Sequence, residues 1–238
     1  MLALRIIQLN RDLSRLLWST LTSSELPAPT SPRVVFPVFR GGNARISEQE
    51  ARVLCCTLLN ATEFYYAVEA PTVQTYSQRG KSKLSARTDL ALYTNSTTAL
   101  KRVMNVEFKA KNPPQREFNK DIEKLIREDL SGNWFHLLDN ENSGTLPSIA
   151  RKFLNAFLAN LQYVDHDIDI IFAVCIRKTK RAFIKRMQYQ HRTADFEIFM
   201  QAFFADIEKW DSVPWHNQPV NSDLAQRGDS ESSVSEDQ

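Results

Sequence analysis

The sequence predicts an α/β fold, a mixed central sheet flanked by helices, on three observations. Segments of helical and of strand periodicity alternate along most of the chain. Two of the strands, between residues 88 and 110, match as a hairpin with one apolar and one polar face. Ile168 to Ile176 is a near-continuous apolar run rich in Ile and Val, the pattern of a central strand buried on both faces. The 238 residues suffice for one generous domain with small appendages.

The elements follow in chain order. Leu4, Ile7, Leu9, Leu13, Leu16, Leu17 and Leu21 recur at helical spacing, so an amphipathic helix spans 4–22 within an N-terminal segment 1–24. Ser23 to Pro32 is rich in Ser, Thr and Pro and reads as a linker. The helix before it can therefore pack on the domain or on a second copy, which makes a homodimer an expectation. Ser47 with Glu50 forms a capping-box pattern that opens a helix running to Asn60. Phe64 to Glu69 is a short strand ending at Pro71, and Thr88 to Thr94 and Val103 to Ala110 are two more, the last stopped by Pro113 and Pro114. Then come a charged helix, Asn119 to Leu130, a strand at Trp134 to Leu138, and a helix from Pro147 to Leu161 with Pro in its first turn. After the apolar strand, Ala194 to Trp210 is a last amphipathic helix. The main domain is thus 33–215, and 216–238 is an acidic tail too poor in apolar side chains to fold.

The hairpin carries the chemistry. In Thr88–Thr94, Leu90 and Leu92 share one face and Asp89 and Tyr93 the other. In Val103–Ala110, Met104, Val106 and Phe108 share one face, and Asn105, Glu107 and Lys109 the other. A hairpin symmetric about Thr98 pairs Leu90 with Val106 and Leu92 with Met104, and sets Asp89 opposite Glu107. A slip of one residue would turn apolar side chains onto the polar face, so this register is the constrained one. Opposed residues have Cβ atoms roughly 5 Å apart. Two carboxylates that close repel unless a cation lies between them, and oxygen ligands at this separation suit Mg²⁺ or Mn²⁺. Lys109, two residues on and on the same face, can orient a water or counter charge developing on phosphorus.

Asp89, seventeen intervening residues, then Glu107-Phe108-Lys109 resembles the signature of the PD-(D/E)xK nuclease superfamily, with Thr88 where the family pattern has Pro. The resemblance covers roughly residues 45–180 and implies a restriction-endonuclease-like αβββαβ core, metal held by Asp89 and Glu107, and Lys109 acting at the attacking water. It also implies an acidic residue on the preceding helix, Glu50 or Glu48. Glu50 shares a face with Leu54 and Leu58 and is the expected choice, although the capping box already employs it. The expected activity is metal-dependent hydrolysis of nucleic acid, DNA first. A catalytically degenerate nucleic-acid binder and a protein-interaction module are the alternatives.

The net charge of +2 implies no partner, but two local basic runs do. Arg79, Lys81, Lys83 and Arg87 precede the Asp89 strand. Arg177 to Arg192, including Lys180, Arg181 and Lys185, is interleaved with aromatics. With Lys111 these are candidate phosphate contacts. Asp165-His166-Asp167 with Asp169 reads as the solvated start of the apolar strand rather than a metal cluster. Cys55, Cys56 and Cys175 are odd in number, lack CxxC spacing and lie in apolar runs, which suits reduced, buried thiols and an intracellular, reducing compartment. No apolar run reaches membrane-span length, and Arg5, Arg11, Asp12 and Arg15 interrupt the N-terminus too early for a signal peptide. Six glycines and no phosphate-loop, dinucleotide or zincin motif argue against nucleotide-cradling loops.

Overall fold

The computed structural model describes residues 1–27, 31–76, 84–192 and 195–214. The basic residues Arg79, Lys81 and Lys83 and the tail 216–238 lie outside them. Among the described residues, seven strands form one mixed sheet in the order β1-β2-β3-β4-β5-β6-β7. They are β1 (Tyr65–Tyr76), β2 (Leu84–Asn95), β3 (Leu100–Ala110), β4 (Ser131–Leu138), β5 (Ile168–Ile176), β6 (Arg181–Tyr189) and the short β7 (Asp211–Ser212). The helices are α1 (Leu2–Ser19), α2 (Glu48–Leu59), α3 (Gln115–Arg127), α4 (Thr145–Ala159) and α5 (Phe196–Phe203).

β1, β2 and β3 form an antiparallel meander. β4 runs parallel to β3 and β5 parallel to β4, each pair joined through a helix, α3 and α4. β6 returns antiparallel to β5. α1 and α2 cover one face of the sheet, packing on Leu90, Leu92, Met104, Val106 and Phe108 among others. α3, α4 and α5 cover the other, around a cluster of aromatics centred on Phe153, Phe172 and Phe204. With both faces covered, β4 and β5 are buried on either side, which is why their sequences run apolar without alternation.

Several boundaries differ from the sequence reading, each for a physical reason. β1 continues through Pro71 to Tyr76 because it is an edge strand with a register irregularity between Pro71 and Thr75, where a missing N–H is tolerated. β6 occupies the stretch read only as a basic run. The last helix ends at Phe203, before a short turn leads into β7. α1 packs on the sheet of its own chain: Ile6, Leu13 and Leu17 are fully buried there, each such side chain contributing about 1.5–3 kcal/mol. Trp18 Nε1 donates to the Ile176 carbonyl (3.0 Å), and Asn10 Nδ2 to Asn133 Oδ1 (2.7 Å). That intramolecular docking removes the reason the sequence offered for a second copy. The cysteines are free, with Cys55 and Cys175 buried. Among the described residues no helix is long and apolar enough to cross a membrane.

Candidate active site

The β2–β3 pairing has Leu90 opposite Val106 and Leu92 opposite Met104, as the sequence predicts, but the register shifts by one between Leu92 and Tyr93, so the hairpin is not symmetric about Thr98 throughout, and Asp89 and Glu107 are not a ladder pair. Leu90–Val106 is its last backbone pair toward the N-terminal end of β2. One residue further the side chains take over from the ladder. Asp89 Oδ2 accepts from the Phe108 N–H (2.7 Å), and Thr88 Oγ1 donates to the Val106 carbonyl (3.2 Å). Asp89 is thereby fixed where the strands part, and Glu107 and Lys109 project from β3 toward α3.

Helix α3 supplies the partners. Lys124 Nζ lies 2.7 Å from Glu107 Oε1 and 2.8 Å from Asp121 Oδ1, and donates to the Arg87 carbonyl at 3.0 Å. The other oxygen of Asp121 lies 2.7 Å from Lys109 Nζ. Helix α2 closes the site from the opposite side. Glu48 Oε2 stands 3.9 Å from Lys109, and Arg52 stands 3.9 Å from Asp89 Oδ1 while also binding Glu69 and Gln49. Glu50, the favoured sequence candidate, points elsewhere: its Oε2 accepts from the Ser47 N–H (3.0 Å) and hydroxyl, and Arg45 binds Oε1. Its position in the capping box decides its orientation, and Glu48, one step earlier in the turn, is the acidic residue facing the site.

The electrostatics separate two groups of carboxylates. Burial raises Glu107, Asp89 and Glu48 above the usual carboxylate range, against the pull of Lys124 on Glu107, of the Phe108 N–H on Asp89 and of Lys109 on Glu48. Asp89 raises both of the others further, so the three lie within one field. Burial also opposes the charge of Asp121, but Lys124 and Lys109 outweigh it and hold that carboxyl low. The reciprocal pull of Asp121 keeps Lys109 above its ordinary value despite burial, and Glu107 and Asp121 do the same for Lys124. Both lysines are therefore ammonium groups directed at Asp121, while the anionic forms of Glu48, Asp89 and Glu107 are disfavoured by burial and by one another.

Each of the two motif carboxylates has one oxygen held by the protein and one left over. Asp89 Oδ2 accepts from the Phe108 N–H, and Glu107 Oε1 is ion-paired with Lys124 but, buried as it is, has no hydrogen-bond partner. Asp89 Oδ1 has only Arg52 at 3.9 Å, and no described residue hydrogen-bonds Glu107 Oε2. Leftover oxygens on carboxylates fixed through their other oxygen suit a hard divalent cation. Among the described residues no three acidic, His or Cys side chains form a ready-made metal cage.

The candidate phosphate contacts divide. Arg87 is exposed immediately before Thr88, and Lys111 is exposed just after β3, its backbone turned to positive φ (65°). The β6 run is otherwise engaged. Arg181 is clamped by Glu141 (2.9 Å) and Glu208 (2.6 Å). Lys185 lies over the Phe203 ring, 4.3 Å from its centroid. Arg186 is bidentate on Asp169. Lys180 sits in the turn before β6 with φ of 52°. Arg181, Lys185 and Arg186 thus have partners within the fold. Asp167 accepts from the His191 N–H, as a strand-start residue does (2.8 Å).

Asp121 and Lys124 are the residues the sequence reading missed. The signal was present. Phe118, Asp121, Ile122 and Leu125 form one i, i+3, i+4, i+7 stripe, so a charged residue stands on the buried face of α3. No protein family, curated protein or solved structure matches this chain.

Proposed function

We propose that this chain is a metal-dependent nuclease that hydrolyses phosphodiester bonds, with DNA as its substrate. The observation that carries the reading is the pair Asp89–Glu107, fixed at the parting of β2 and β3 with one oxygen of each left over, beside a lysine held as ammonium on the same face. The run α2-β1-β2-β3-α3-β4, a meander followed by a strand parallel to its third member, supports a restriction-endonuclease-like core.

Asp89 and Glu107 would hold Mg²⁺ or Mn²⁺, which when bound would supply Lewis acidity at the phosphodiester. Lys109 contributes a positive charge aimed at the phosphoryl oxygens, where charge grows in the transition state. Burial strengthens that contribution, because the side chain is only 13% exposed and little water screens it. Glu48, 38% exposed, marks the solvent side from which a strand would approach. Arg87 and Lys111, exposed on either flank, contact the backbone phosphates.

One observation favours a second reading, a non-cleaving nucleic-acid binder of the same fold: the Lys124 ammonium already neutralises Glu107 from within. A cleavage assay separates the two. Purified protein, Asp89→Ala and Lys109→Ala are incubated with plasmid, linear duplex and single-stranded DNA, and with RNA, in Mg²⁺, Mn²⁺ or chelator. Cleavage that needs the metal and both side chains is expected. Equal cleavage in chelator or by Asp89→Ala overturns the mechanism, and DNA binding without cleavage selects the second reading.

A further inference from the structure

We infer that Asp121 is a positioning residue of this site, holding Lys109 directly and Glu107 through Lys124, so that one carboxylate from α3 sets both side chains of the β3 pair. The inference rests on the reading of Asp89, Glu107 and Lys109 as the reactive group.

The geometry is a closed chain of contacts. Glu107 Oε1 meets Lys124 Nζ at 2.7 Å, Lys124 meets Asp121 Oδ1 at 2.8 Å, and Asp121 Oδ2 meets Lys109 Nζ at 2.7 Å. Glu107 and Lys109 are neighbours on one face of a strand, and nothing in the strand itself orients their tips. A lysine stem is long and freely rotating, so an unheld Lys109 would sample many positions. Among the described residues its only other anion within 4 Å is Glu48, at 3.9 Å and 38% exposed. Asp121 is 5% exposed at the side chain and sits one helical turn from Lys124. It is therefore a rigid point, on a helix whose Phe118, Ile122 and Leu125 are buried in the core. Two carboxyl groups also face the two buried ammonium groups, so no member of the chain lacks an opposite partner. The third donor of Lys124 goes to the Arg87 carbonyl, tying the segment that leads to Asp89 to the same point. One carboxylate thus registers the acidic pair and the lysine against each other, and misplacing such groups by about 1 Å costs about 100-fold in rate.

The test uses the full chain labelled with ¹⁵N-lysine, in wild type, Asp121→Asn and Lys124→Met. Two readouts are taken: kcat and KM for Mn²⁺-dependent plasmid cleavage, and the ammonium ¹H–¹⁵N cross-peak of Lys109, assigned by its loss in Lys109→Met. The expected result is a slowly exchanging Lys109 ammonium in the wild type that disappears in Asp121→Asn. With it, kcat should fall at least about 30-fold and KM should stay within about two-fold. Lys124→Met should lower kcat while leaving the Lys109 cross-peak in place. A wild-type Lys109 ammonium in fast exchange with water overturns the inference without any variant. So does an Asp121→Asn protein that retains the cross-peak or wild-type kcat. If the wild type cuts no nucleic acid, the proposed function fails, and the cross-peak alone still decides whether Asp121 holds Lys109.

Discussion

A pH series of urea denaturation isolates the ring of His136, which is fully buried on β4 beside the stacked Phe118 and Trp134 rings. Its Nε2 lies 2.6 Å from the Lys111 carbonyl, and a carbonyl only accepts, so Nε2 carries the hydrogen. Nδ1 is then bare in the neutral ring and has no hydrogen-bond partner. A second proton would create a buried, unpaired N–H. Burial accordingly pushes the ring down from 6.5 to about 4, against the bond to Lys111, which pulls the other way. Between those values the unfolded chain binds the proton and the folded chain does not, so this group's stabilisation, complete above about pH 6.5, is lost as pH falls toward 4. At 1.36 kcal/mol per pH unit, the loss reaches about 2 kcal/mol by pH 5 and about 3 kcal/mol by pH 4. Glu48, Asp89 and Glu107, raised by burial, act in the opposite direction over part of this range. The measurement is therefore a difference. His136→Gln keeps an N–H for the Lys111 carbonyl and removes the titration. Wild-type stability minus that of His136→Gln should fall by about 2 kcal/mol between pH 7.5 and 5. A difference that stays flat with pH, or an imidazole that titrates near 6.5 in the folded protein, refutes the reasoning.

Three further outcomes follow from the same structure. Glu50→Ala should cost about 1 kcal/mol in urea denaturation by removing the capping box while leaving kcat unchanged, whereas Glu48→Gln should lower metal-dependent cleavage with little effect on stability. Glu128→Ala should destabilise by about 2–4 kcal/mol, measured by thermal or urea unfolding, because its buried carboxylate accepts from the Val73 and Gln74 N–H groups and the Tyr76 hydroxyl. Arg181→Ala should leave DNA affinity, and its slope against salt, within about two-fold of wild type in a fluorescence titration, since its charge is already matched by Glu141 and Glu208. A clear loss of slope would return β6 to the nucleic-acid surface.

The β2–β3 register was legible because alternation on a half-buried strand admits one pairing, and Leu90, Leu92, Met104 and Val106 specify it within a short stretch of chain. α2 was legible from Ser47 and Glu50 for the same reason: its signal is local. β6 was hidden because Arg181, Lys185 and Arg186 look like a solvated run until their partners are known. Those partners, Glu141, Glu208, Phe203 and Asp169, come from other elements. The choice between Glu48 and Glu50 turned on which obligation wins, and the cap at the helix end outweighed the face periodicity. Asp121 and Lys124 were read as part of a charged helix. Burying a charge is costly enough that a sequence reader assigns it to water by default, and only the assembled network, in which no member lacks an opposite partner, makes the exception affordable.

The docking of α1 has a consequence for how the chain is made. The carbonyl that receives Trp18 belongs to Ile176, far downstream of the helix, and the helix also packs against β6, which ends at Tyr189. About 170 residues separate the end of α1 from the end of that strand. At about 5–20 residues per second, the apolar side of the helix waits roughly 10–30 s for its seat to be synthesised. Until then the helix has only part of its native surroundings, chiefly α2, to cover Ile6, Leu13 and Leu17. The contact that completes its docking joins segments about 170 residues apart.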